Sequence, residues 1–341
     1  MNISALDKLL EKWAVTVNGI DQQALALKIL KSAKAELKIE NRVSDKSLFH
    51  NFINLSGNTE FLKALPGNDE LKLWSELIFK AIQRSDYSLN DMFEHRVKTI
   101  PEQALFMDMS GDIPARWTYK QVQLYVREIA SVFYRHANNS PHVALYAENS
   151  VESACCDLAC LFYDIFDTPL NVHFNKETLY LIFDQLEINI AVADTQSRAN
   201  ILEEVREMTK KPFTIFVLDP DAETNEKDIF FLGEECKVAD LKDIDQILSN
   251  RKRKPINQVA TTMFTSGSTG LPKGVSFSIY NLVSKRFARA AAVPLVGNQE
   301  VLLCFLPLYH TFGRYLELLG SIYWNGTYVF TGNTSAETLI S

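Results

Sequence analysis

Eleven consecutive residues, Thr265-Ser266-Gly267-Ser268-Thr269-Gly270-Leu271-Pro272-Lys273-Gly274-Val275, concentrate the chemistry needed to bind an anion. They follow an apolar run, Val259–Phe264, that reads as a strand. Glycine lets the backbone approach an anion closely and adopt positive φ angles. A concave row of N–H groups, with hydroxyl side chains as further donors, makes a nest for phosphate oxygens. Lys273 adds a mobile point charge. A surface turn can also be rich in glycine and serine, but it need not hold a lysine between Pro272 and Gly274 directly after an apolar strand.

The spacing is not that of a Walker A loop, because counting from Gly267 puts Pro272 where the second glycine belongs. It does not match Gly-x-Gly-x-x-Gly either. The stretch resembles the phosphate-binding loop of the adenylate-forming (AMP-binding) superfamily, which includes acyl- and aryl-CoA synthetases, adenylation domains of peptide synthetases and luciferases. Two further stretches are similar to that family's early segments. One runs from Trp117-Thr118-Tyr119 through an amphipathic helix to His142-Val143-Ala144-Leu145-Tyr146-Ala147-Glu148-Asn149-Ser150. The other is the small-residue helix leading to Thr168-Pro169-Leu170-Asn171. Downstream, Phe305-Leu306-Pro307-Leu308-Tyr309-His310-Thr311-Phe312-Gly313 resembles the family's second core motif, in which a strand delivers Pro-Leu and an aromatic/His pair to an acyl pocket. Leu-Pro-Leu followed by His is most like fatty acyl-CoA synthetases. His310 alone would read as a packing histidine; its motif context assigns it to the pocket. The resemblance covers residues 88–341.

What the resemblance implies is a reaction in two steps. A carboxylate attacks the α-phosphate of ATP to give an acyl-adenylate and pyrophosphate, and the thiol of coenzyme A then displaces AMP. The protein must position two anions and offset phosphate charge, with Mg²⁺ bridging phosphate oxygens. On this reading Thr265, Ser266, Ser268 and Thr269 contact the β- and γ-phosphates through their hydroxyls. Gly267, Gly270 and Gly274 permit close backbone approach, and Lys273 supplies charge near the leaving pyrophosphate. Lys273 and Thr269 are the expected catalytic pair; Tyr309, His310, Phe312 and Gly313 border the acyl pocket. No residue is assigned to a metal. The family's aromatic-Gly-x-Thr-Glu segment, ribose-binding aspartate and lysine-bearing small domain are not found in these residues. The chain is therefore expected to be the N-terminal portion of an acid–thiol ligase, with little or no turnover by itself. A catalytically inactive nucleotide-binding or interaction module is the alternative, and a carrier-protein thiol in place of coenzyme A stays open.

These residues need a scaffold, and the pattern around them supplies one. Residues 1–87 read as all helical: Leu6, Leu9, Leu10, Trp13 and Val17 recur at helical spacing, and Ser56-Gly57-Asn58 and Pro66-Gly67-Asn68 punctuate the region. From residue 88 apolar strands alternate with helices. Helices are predicted over Leu89–Lys98, from a Thr118 cap to Ala137, and over Val151–Tyr163, Thr178–Leu186 and Ser197–Met208. Strands are predicted over Ala104–Met109, His142–Ala147, Asn189–Ala193, Phe213–Leu218 and Thr327–Phe330. Short, fully apolar strands between helices imply an α/β fold with mostly parallel sheets flanked by helices. That pattern fits the large domain of an adenylate-forming enzyme, here incomplete and preceded by the helical region. Residues 219–257, acidic and then basic, read as an excursion before the loop strand.

Composition narrows the partners. With 341 residues and 47% hydrophobic content there is mass for a sizeable core. A formal charge of −7 gives no overall attraction to nucleic acid, and the run Arg251-Lys252-Arg253-Lys254 reads as a solvated linker. Cys155, Cys156, Cys160, Cys236 and Cys304 have neither metal nor disulfide spacing and read as buried thiols. The N-terminus lacks the apolar region of a secretory signal, and no stretch has the roughly 18 apolar residues of a membrane span. The expected setting is cytoplasmic, with a small-molecule carboxylate as substrate; peripheral membrane contact and oligomeric state stay open.

Overall fold

In a computed structural model the described residues are 4–15, 19–39, 45–138, 140–222, 224, 228–266, 272–294, 296–297 and 300–332. The loop positions Gly267, Ser268, Thr269 and Gly270 lie outside them, and Ser266 is described by its backbone alone.

Five helices open the chain: α1 (Ala5–Val15), α2 (Gly19–Glu36), α3 (Asp45–Ser56), α4 (Thr59–Lys63) and α5 (Asn68–Ser85). Leu6, Leu10 and Trp13 of α1 are buried, the stripe expected from a 3.6-residue period. The Oδ1 of Asn58 accepts the Phe61 N–H at 2.8 Å and starts α4. Asp86, left-handed at φ 52°, ends α5. The helices do not pack only on one another. The rings of Trp74 and Tyr87 lie 6.3 and 6.4 Å from that of Phe287. The Tyr323 hydroxyl donates to the Gly57 carbonyl at 2.7 Å. One apolar core runs without a break from Leu6 to Phe330.

Next come α6 (Leu89–Thr99), β1 (Ala104–Asp108), β2 (Ala115–Thr118), α7 (Tyr119–His136), β3 (His142–Tyr146), α8 (Val151–Phe162) and β4 (Phe166–Pro169). Then follow α9 (Lys176–Gln185), β5 (Ile190–Ala193), α10 (Gln196–Thr209), β6 (Thr214–Val217), β7 (Ile229–Phe231), α11 (Leu232–Lys237) and α12 (Leu241–Asn250). The last elements are β8 (Val259–Ser266), β9 (Pro272–Ser278), α13 (Ile279–Ala292), β10 (Val301–Leu303), a π-helical turn (Phe312–Leu318), α14 (Leu319–Trp324) and β11 (Thr327–Phe330). Reciprocal capping boxes, Ser88 with Asp91 and Thr118 with Gln121, set the starts of α6 and α7.

Two sheets result. The larger has the order β7-β6-β5-β3-β4-β8-β9 and the smaller β10-β11-β1-β2. Both are mixed rather than purely parallel: β9 runs antiparallel to β8, and β2 antiparallel to β1. The excursion at 219–257 adds β7 to the sheet edge, parallel to β6, and contributes α11 and α12. The strand expected to carry the second motif is displaced: β10 ends at Leu303, before Phe305. All five cysteines are free and buried. Among the described residues no helix is long and apolar enough to cross a membrane.

Candidate active site

Strand β3 is followed in the sheet by β4 on one side and β5 on the other, so the strand order reverses there. Ligands in such sheets bind beyond the carboxyl ends of the strands at that point. Strand β8 pairs with β4 and runs parallel to it, so its carboxyl end points the same way. That end leads into the hairpin with β9. Thr265 lies opposite Lys273 and Ser266 opposite Pro272, which brings the two sides of the predicted anion-binding stretch together. The Thr265 hydroxyl donates to the Lys273 carbonyl at 3.4 Å, and Lys273 itself is exposed. Gly274 is set by close packing: a Cβ there would lie 2.9 Å from Cγ2 of Thr262 across the hairpin. Thr262 and Ser276 also pair through their hydroxyls at 2.9 Å.

The second motif reaches the same sheet edge. Asn149, just past β3, clamps it from both sides. Its Nδ2 donates to the Leu306 carbonyl at 3.0 Å, and its Oδ1 accepts the Leu308 N–H at 2.8 Å. Tyr309 is thereby buried in an apolar cluster with Tyr146 of β3 and Leu170 beyond β4, against which Phe264 of β8 also packs. Burial, with the Glu148 carboxylate adding to it, pushes the Tyr309 phenol above its ordinary pKa. His310 is exposed, its ring 5.1 Å from that of Tyr309. Phe312 is 61% exposed and lines a different space, a pocket against α13. The four predicted acyl-pocket residues therefore divide: Tyr309 at the sheet edge, Phe312 at the pocket and His310 between them in the chain. Gly313 permits the arrangement, since a Cβ there would lie 2.5 Å from the Pro307 carbonyl oxygen and 2.6 Å from that of Leu306.

Sequence reasoning passed over the residue that anchors this segment. Arg314, fully buried in the π-helical turn, donates from Nε to Asp157 Oδ2 of α8 at 2.8 Å. Its Nη1 reaches Thr261 Oγ1 of β8 at 2.7 Å, and its Nη2 reaches Asp167 Oδ2 of β4 at 2.6 Å. One guanidinium thus ties the second motif to the strand that carries the phosphate-type loop. It faces two buried carboxylates, and burial pushes Asp167 up to about 8, against the pull of Arg314 and with Asp157 adding to the rise. A single arginine in a sequence reads as solvated, so nothing short of the fold flags it. In the sequence Asn149 is one position of a family-like motif; its two backbone bonds give it a role.

Residues 93–340 match the model of the AMP-binding enzyme family. The chain belongs to that family. The mouse (Mus musculus) long-chain-fatty-acid–CoA ligase 5 is 28% identical over 219 residues, covering 60% of this chain and 32% of the relative. Long-chain-fatty-acid–CoA ligase 1 of Cavia porcellus is 27% identical over 243 residues, 67% of this chain and 34% of the relative. The chain spans about a third of the length of these curated relatives. Among solved structures, a putative long-chain-fatty-acid CoA ligase from Rhodopseudomonas palustris CGA009 aligns with a TM-score of 0.62 at 17% identity. It covers 73% of this chain and 58% of its own. ATP-bound MatB from Rhodopseudomonas palustris aligns at 0.59 and 20% identity, over 74% and 47%. The fold is that of the AMP-binding enzymes, and the family's match begins near the start of α6, after the five N-terminal helices.

Proposed function

We propose that this chain is the nucleotide-phosphate-binding and acyl-site-forming part of an ATP-dependent acid–thiol ligase that converts a fatty-acid-type carboxylate to its coenzyme A thioester. Residues 1–87 form a helical N-terminal unit, and residues 88–341 form part of the large domain. The observation that carries the reading is the shared cluster of Tyr309 and Phe264, which sets the second motif against the strand leading into the phosphate-type loop.

The substrate carboxylate oxygen attacks the α-phosphorus, and the bond from that phosphorus to the bridging oxygen breaks to release pyrophosphate. The thiol of coenzyme A, losing its proton, then attacks the acyl carbon and AMP leaves. Thr265, Ser266, Ser268 and Thr269 donate to phosphate oxygens, with close backbone approach at Gly267, Gly270 and Gly274. Lys273, exposed on β9 opposite Thr265, offsets charge on the departing pyrophosphate. His310, Phe312 and Gly313 belong to the acyl side, with Tyr309 closing the sheet edge behind them. Among the described residues no group of three or more His, Cys, Asp or Glu side chains could hold a metal ion. Mg²⁺ would be held chiefly by the nucleotide's phosphate oxygens and would offset their charge.

Equilibrium binding of ATP with Mg²⁺ to the chain tests the loop directly. Saturable binding that weakens in Lys273→Ala supports the reading; no saturable binding rejects it.

A further inference from the structure

A pocket of about 440 Å³ opens between α13, β9 and the π-helical turn, a volume in the range of small-ligand sites. Phe277, Phe312, Tyr315 and Leu316 make much of its wall apolar. Lys285, Arg286 and Arg289 also line it, and among the described residues no carboxylate does. Arg286 is only 4% exposed, and its Nε and Nη1 have no hydrogen-bond partner among the described residues. Nη1 of Arg289 is likewise buried without one. Burial, with the Arg289 guanidinium adding to it, pushes Arg286 down to about 9, and the neighbours that favour its charge are the phenols Tyr315 and Tyr323.

A buried guanidinium without a counter-ion is costly. A hydrocarbon tail entering this pocket would leave it uncompensated, and displacing water from Arg289 would add to the cost. A ligand with an anionic group would supply the missing partner, in a bidentate geometry suited to arginine. The pocket is joined to the second motif through Thr311 and Phe312.

We propose that this pocket receives the far end of an acid substrate that carries a second carboxylate, with Arg286 as its counter-ion. The substrate class is then an α,ω-dicarboxylate rather than a simple fatty acid. This rests on the reading above that the Tyr309–Phe312 segment borders the acyl site, and it narrows that reading.

Calorimetric titration of the full chain with dodecanedioate and with dodecanoate, without nucleotide, tests it. Dodecanedioate should bind about tenfold more tightly, as expected for hydrogen bonds to a charged group. R286M should abolish the difference, and R286K, which keeps the charge, should retain part of it. Thermal unfolding of R286M should show a midpoint no lower than that of the parent chain, because the charge removed has no partner. If dodecanoate binds as tightly as dodecanedioate, or if the preference survives in R286M, the role of Arg286 is overturned while the acyl-site reading stands. If neither acid binds, both fall together.

Discussion

Arg314 Nη2 and Asp167 Oδ2 meet at 2.6 Å with neither side chain exposed. The same guanidinium bonds Asp157, so a single positive charge sits between two buried carboxyl groups. Such a group contributes less to net stability than its short distances imply, because desolvation offsets the attraction. Its geometric effect is larger. Through Arg314, the turn after His310 cannot move without disturbing α8, β4 and β8.

The first prediction concerns pH. Asp167 is raised to about 8 in the folded chain, whereas an unfolded aspartate titrates near 4. The folded state therefore keeps a proton that the unfolded chain has released. Stability from this site is complete below about pH 4 and is lost as pH rises through about 8. Asp167→Asn should flatten that decline. Denaturant midpoints measured at several values between pH 5 and 9 check it; equal slopes in the two proteins would contradict it.

Gly313→Ala adds a Cβ within 2.6 Å of two backbone carbonyl oxygens that cannot rotate away. Forced overpacking should cost about 1–3 kcal/mol. The strain falls on the Leu306–His310 segment, so ATP binding should change less than binding of the acid. Unfolding midpoints with parallel titrations of both ligands separate the two effects.

Asn149→Ala removes the partner of the Leu306 carbonyl and the Leu308 N–H together. Leaving such groups unpaired should cost roughly 1–3 kcal/mol. Asn149→Asp keeps the acceptor for Leu308 but sets a carboxylate against the Leu306 carbonyl. Chemical unfolding should therefore rank it no better than intermediate between the parent chain and the alanine variant. An alanine variant as stable as the parent would show that the clamp is dispensable.

Lys273→Ala offers the contrasting case. The side chain is exposed on an edge strand, so stability should change by no more than about 0.5 kcal/mol. Affinity for ATP should nonetheless fall by roughly tenfold, as expected on losing a charge-assisted contact. Thermal unfolding and nucleotide titration on one preparation provide both numbers, and an unaltered affinity removes Lys273 from the site.

Much of the scaffold is readable locally. The Thr118 cap and its helix to Ala137, strand β3, and the helix after Ser150 stand where their residues predict them. β4 went unread because Phe166-Asp167-Thr168-Pro169 contains an aspartate whose counter-ion is distant in the chain. The antiparallel return of β9 was hidden by proline and glycine, which usually mark loops. The π-helical turn has no local signature; it forms where Gly313 packs onto the Leu306 and Pro307 carbonyls.

Taken alone, the sequence determined helices such as α7 and α8, the Thr118 cap and apolar strands such as β3, and it placed hydroxyls, glycines and a lysine together in Thr265–Val275. Those features depend on residues a few positions apart, whose relations survive in any fold. Only the tertiary structure decided that Arg314 would meet Asp157 and Asp167, 157 and 147 positions away. It also decided that Tyr309 would reach the strand leading to the loop, and that Nε and Nη1 of Arg286 would be buried without a partner among the described residues. A side chain's charge is written in its chemistry, but its partner and its dielectric surroundings are set by which distant segments the sheet order brings together.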